Sequence, residues 1–196
     1  MNALTFTCTL PSWVESVADF GRAYKTDEDK MGLAIDLAMN NVTRRTGGPF
    51  GAAIFETATG ALVAPGVNLV VPTSNPTAHA EIVAMGLAGA RLGNYDLSNN
   101  GDTPTVLAAS VEPCAMCLGA TPWSGVSTLL VGARDSDARL IGFDEGSKPA
   151  AWSSELEARG ISVRTDVRRS DAIEVLATYQ ATGGVIYNAD GTDHDA

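Results

Sequence analysis

Two short motifs hold residues that can do chemistry together. One is His79-Ala80-Glu81, and the other is Pro113-Cys114-Ala115-Met116-Cys117. Two cysteines three apart at a helix start project to the same side, about 60° apart around the axis. Both thiolates can therefore reach one metal ion. A helix start also favours the thiolate form, through its positive dipole end and free N–H groups. His79, opening another apolar helix, supplies a third ligand. Two cysteines, a histidine and a water or hydroxide make a catalytic zinc pattern, with one Zn2+ per subunit. A structural site would close the fourth position with protein. Only Cys8 and His194 remain as unused soft ligands, and both lie near the chain ends. Glu81 is open to a second task. A carboxylate beside the metal can take a proton from the bound water and return it to the substrate and the leaving amine.

These motifs need elements to carry them. Residues 27–45 have the spacing of an amphipathic helix, with Met31, Ala34, Ile35, Ala38, Met39 and Val42 on one face. Thr26 suits its cap, and three acids follow in its first turn. Thr46-Gly47-Gly48-Pro49 ends it. Strands are expected over 50–55 and 67–71, parted by a Gly60 turn and a Pro65-Gly66 break. Residues 78–92 are apolar on nearly every side and predict a buried helix. A strand over 106–111 leads to Pro113 and a second buried helix. Strands over 126–131 and 161–167 and helices over 153–159 and 171–182 complete the reading. Alternating strands and helices imply a layered α/β fold.

Composition narrows the partners. The chain of 196 residues is 45% hydrophobic, enough for one domain with a real core. Thirteen basic against 23 acidic residues give a net charge of −10. Lys25, Lys30 and Lys148 are its only lysines, so no cationic track for nucleic acid is expected. No apolar run approaches the ~20 residues of a bilayer span, and no membrane role is expected. The first residues do not read as a signal peptide, and three cysteines do not make a disulfide framework. The expectation is a cytoplasmic protein.

At the two motifs the chain resembles the cytidine deaminase superfamily, in its guanine deaminase branch. The likeness extends to Gly47-Gly48-Pro49-Phe50-Gly51-Ala52, to Gly66-Val67-Asn68, to the stretch from Pro113 to Trp123, and to Ile141-Gly142-Phe143-Asp144-Glu145-Gly146. The resemblance implies a three-layer α/β/α fold around a central five-stranded mixed sheet. Residues 1–25 would be an N-terminal extension, 26–182 the zinc-dependent domain, and 183–196 a C-terminal tail. It also implies a homodimer, in which that tail packs on or exchanges with the partner. Tyr187 or His194 would then close the partner's pocket. Asn68 falls where family members bind the base, and Glu145 where they place a second acid. Phe50 and Trp123 are candidate walls for a flat ring, and Ala80 and Asp144 candidate contacts.

The implied reaction is hydrolytic deamination of guanine to xanthine and ammonia. Guanosine, cytosine and the triazine ammeline are alternatives under the same chemistry. Editing of a polynucleotide on this scaffold is opposed by the charge, and a non-catalytic zinc module is the remaining class.

Overall fold

The longest helix begins where its cap chemistry stands. The computed structural model describes residues 7–188. After a short helix α1 (Val14–Val17), α2 runs over Asp27–Thr43. Thr26 Oγ1 accepts from Asp29 N at 3.0 Å, and the Asp29 carboxylate accepts from Thr26 N at 3.3 Å. This reciprocal box satisfies two backbone donors that the helix leaves free. Met31, Ala34, Ile35, Ala38 and Val42 are buried, as the spacing predicts.

Five strands follow: β1 (Gly51–Glu56), β2 (Leu62–Val67), β3 (Thr105–Val111), β4 (Thr128–Ala133) and β5 (Ser162–Arg164). Their order in the sheet is β2-β1-β3-β4-β5. β1 is antiparallel to β2 and to β3, while β3, β4 and β5 are parallel, so the sheet is mixed. The remaining helices are α3 (Val70–Thr73), α4 (Ala80–Leu92), α5 (Ala115–Ala120), α6 (Asp135–Leu140), α7 (Trp152–Glu157) and α8 (Arg169–Ala181).

Period-two alternation splits the strands' side chains between two cores. Ala53, Phe55, Ala108 and Leu130 join the cores of α2 and α8 on one face. Ala52, Ile54, Leu107 and Leu129 meet Ala80, Ala84 and Ala88 of α4 on the other. The result is the expected three-layer α/β/α sandwich. Val14, Ala18 and Tyr24 share the α2 core, so the described part of the leading segment packs against the rest.

The expected strand over 67–71 is wrong in position. The strand lies earlier, and Pro65 and Gly66 sit inside β2 rather than breaking the chain. β2 is an edge strand, where the missing proline N–H costs no ladder bond on the outer side. Val70 to Thr73 is helical instead. The helix α4 is also less buried than expected. Ala80, Glu81, Ala84 and Ala88 are covered, while Ile82, Met85 and Leu87 are only half-buried and Leu92 is exposed.

Gly66 is where β2 and α4 come closest. A methyl group there would lie 2.2 Å from Ala80 O and 2.6 Å from Ala84 N. Both atoms belong to backbone and cannot swing away. Gly66→Ala is therefore expected to cost about 1–3 kcal/mol by overpacking. Denaturant unfolding checks this, and an unchanged midpoint would show that the helix can retreat freely.

Candidate active site

Strand pairing gathers the site at one end of the sheet. The start of β1 lies beside the end of β2 and the end of β3, through Gly51 opposite Val67 and Ala52 opposite Ala109. Two helices open there. His79 is the N-cap residue of α4, and Cys114 is the N-cap residue of α5. Both have extended backbone, and neither side chain is used to cap its own helix. Glu81 sits in the first turn of α4 and Cys117 one turn into α5.

His79 Nδ1 and Cys114 Sγ are 3.5 Å apart. With Cys117 Sγ, the three donor atoms lie within 4.8 Å of one another. A tetrahedral zinc with bonds of about 2.0–2.3 Å holds its ligand atoms roughly 3.3–3.8 Å apart. The donor set and spacing fit zinc, with two soft thiolates and one imidazole.

The electrostatics express the same closeness. Cys117 donates to Cys114 and His79 faces it, so the Cys114 thiol is pulled down to about 4. Cys117 keeps the shared proton and is pushed up, first by that bond and then by burial. Burial lowers His79, but the Cys114 bond and the Glu81 charge outweigh it, and the net shift is upward. Burial and the Cys114 charge raise Glu81. Glu145 is raised to about 8 by burial, then by the charges of Cys114 and Glu81.

A cavity of about 480 Å³ opens beside these groups. His79, Glu81, Cys114 and Glu145 line it, with Phe50, Phe143 and Ser110. The Phe50 and Phe143 rings meet edge to face at 4.9 Å. Ser110 Oγ accepts from Gly51 N and fixes the start of β1.

Asn68 is fully buried and does not itself line this cavity, although its neighbour Val70 does. Its Oδ1 accepts from Val70 N at 3.3 Å, and its Nδ2 has no partner among the described residues. A methyl group on Gly48 would lie 3.1 Å from Asn68 Oδ1 and 3.0 Å from Tyr187 Oη. Gly48 therefore leaves the space that both polar groups face. Tyr187 Oη is likewise buried without a partner, and burial raises its phenol strongly.

Several sequence expectations are placed differently. Trp123 does not line the cavity. It lies on the 3-10 turn over Thr121–Ser124 and is 85% exposed, because the turn carries it away from α5's buried side. Ala80 is buried, its carbonyl lies against Gly66 of β2, and it does not line the cavity. Asp144 borders the cavity, but its Oδ1 accepts from Gly146 N and Arg139, so it shapes the loop. Tyr187 and Asn188 line the cavity of their own chain. Asn188 accepts from Asp144 N and donates to Gly142 O. His194 lies outside the described residues.

Asn41 is a structural determinant that sequence reasoning missed. Its Nδ2 donates to Gly48 O and Asn68 O, both at 2.9 Å, and its Oδ1 accepts from Thr46 at 2.7 Å. It staples the glycine loop to the Asn68 backbone. An asparagine beside the apolar stripe of α2 was the available signal.

Comparison with known proteins agrees with this architecture. Residues 24–133 match the family described as cytidine and deoxycytidylate deaminase zinc-binding region. Guanine deaminase of Bacillus subtilis (strain 168) is 41% identical over 112 residues, 57% of this chain and 67% of that protein. The solved guanine deaminase from Nitrosomonas europaea superposes with a TM-score of 0.86 at 42% identity, covering 90% of this chain and 97% of that one. A variant of NE0047 bound to 8-azaguanine gives 0.87 at 42% identity, over 93% and 99% of the two chains. The chain belongs to the cytidine and deoxycytidylate deaminase family and carries that family's zinc-binding region.

Proposed function

We propose that this protein is a zinc-dependent guanine deaminase, converting the free base and water to xanthine and ammonia. The observation that carries this reading is the meeting of two buried acids, Glu81 and Glu145, at one cavity with the His79, Cys114 and Cys117 cradle. A zinc held by those three residues would supply Lewis acidity and activate a water as nucleophile near neutral pH. Glu81 takes one proton from the attacking water and delivers it to a ring nitrogen, then passes the remaining hydroxyl proton to the amine, which leaves as ammonia as the C–N bond breaks. Attack is at C2, the carbon bearing guanine's amino group.

Glu145 gives the reading its substrate. Guanine presents an N–H donor beside its exocyclic amine, and a carboxylate accepts it. A carboxyl poised near neutrality can also move a proton in either direction. The free Nδ2 of Asn68 offers a donor to the base edge. Phe50 and Phe143 supply apolar walls for a flat ring. Such an activity belongs to purine breakdown, and a metal-ligand role for Cys114 and Cys117, which requires reduced thiols, favours a cytoplasmic setting.

The functional unit is read as a homodimer. Leu92, Tyr95 and Trp123 are 49%, 91% and 85% exposed. Their segments are tied together where Leu97 N donates to Ser124 O. This apolar patch continues the half-buried side of α4, and a second copy of the chain would cover it.

Two outcomes are expected. Among guanine, guanosine, cytosine and ammeline, guanine should release ammonia fastest. Glu81→Gln should keep zinc and lose roughly 10²–10⁴-fold in kcat. No ammonia from guanine would overturn the substrate reading. Glu81→Gln with full activity would remove the proposed proton carrier.

The zinc-free protein should show the Glu145 shift in its stability. A carboxyl raised in the folded state binds a proton more tightly there than in the unfolded chain, so stability falls as pH rises from about 4.5 to about 8. Glu145→Gln should flatten that decline, measured by thermal melts across pH 5–9. An identical slope would mean that Glu145 meets solvent freely.

Sedimentation equilibrium should show a dimer for the wild type and a monomer for Trp123→Asp. A dimer that survives the substitution would place the interface elsewhere.

A further inference from the structure

Glu145 stands on a stretch without regular structure between α6 and α7, so something else must hold it. Its carboxylate makes no hydrogen bond among the described residues, yet the residue is 5% exposed. The peptides around it are held from two sides. Glu145 O accepts from Ala115 N at 2.9 Å, one residue after the metal ligand Cys114. Gly146 O accepts from Arg139 at 2.7 Å.

Lys148 closes the arrangement. Its Nζ lies 2.7 Å from Glu112 Oε1, 2.8 Å from Asp135 Oδ1 and 2.9 Å from Pro113 O. An ammonium has three donors, and all three have acceptors here. The side chain is 7% exposed, in a chain that has only two other lysines. Pro113 immediately precedes Cys114, so Lys148 joins the Glu145 loop to the segment that carries the thiolate. Arg139 shares Asp135 with it, at 2.6 Å. A surface ion pair would hold little, but three bonds from a buried ammonium fix a geometry.

We propose that Lys148, assisted by Arg139, is a positioning residue that sets Glu145 against the base and the metal cradle. It touches neither. It converts the α6 terminus and the Glu112-Pro113 turn into one frame, on which the free carboxylate is aimed. The inference rests on the reading of Glu145 given above.

The test uses the zinc-loaded enzyme. Lys148→Met should retain zinc while kcat for guanine falls roughly 10²-fold, the scale of an ångström's misplacement. Its affinity for 8-azaguanine, read by calorimetry, should fall with it. Lys148→Arg should recover part of both losses by keeping the charge. Added to Glu145→Gln, Lys148→Met should cost less than about twofold more, because both act through one carboxylate.

Should Lys148→Met fail to fold, Arg139→Gln carries the same cycle, since Arg139 is 42% exposed. Losses that multiply with that of Glu145→Gln, or a Lys148→Met enzyme with normal kcat and affinity, overturn the proposal. An unaffected Glu145→Gln enzyme overturns the role of Glu145 itself.

Discussion

Four acidic groups, three of them buried, crowd around one imidazole, and this crowding governs the site. Cys114, Cys117, Glu81 and Glu145 each raise or lower another's proton affinity. Without a cation they cannot all ionise, so they divide protons among themselves. Cys114 takes the charge while Cys117, Glu81 and Glu145 are pushed towards their neutral forms. A divalent cation would resolve the conflict by taking the two thiolates, which would leave the carboxyls free to handle protons. The division of labour between sulfur and oxygen follows from which groups a zinc ion binds most strongly.

Small residues make this crowding possible. Ala80, Ala84 and Ala88 form the buried face of α4, and Gly66 lets β2 approach its backbone. Gly51 does the same on the other face, where a methyl would meet Ala34 O at 2.2 Å. The sheet end is therefore thin, with helices close on both sides. Larger side chains would enlarge the local core while pushing the helix start away from β3. His79 could not then meet Cys114 at 3.5 Å. Packing density here is subordinate to the placement of two caps.

The zinc cradle was legible in the sequence because its determinants are local. A Cys-x-x-Cys at a helix start and a His-x-Glu opening another helix specify directions within a turn or two. The α2 boundary was legible for the same reason, since Thr26 and Asp29 cap each other. Errors arose where distant contacts decide. Pro65 and Gly66 read as a break, but edge position and the approach of α4 make them strand residues. Trp123 read as a pocket wall, but the turn after α5 carries it outward. Asn41 and Lys148 are silent locally. Their roles come from partners such as Asn68, 27 positions away, and Glu112, 36 away.

The unpaired groups around the cavity bear on what it accepts. Among the described residues, Asn68 Nδ2 and Tyr187 Oη are buried without partners. Each costs about 1–3 kcal/mol until something pairs with it. A heterocycle with acceptors in its plane offsets that cost on binding, whereas an apolar ring of the same size does not. Charge selects further. Lys148 pairs with Glu112, one of the acids that line the cavity. Glu81 and Glu145, pushed towards their neutral forms, suit an uncharged base. The net charge of −10 opposes a polynucleotide at long range. Charge therefore favours a free base over a polynucleotide.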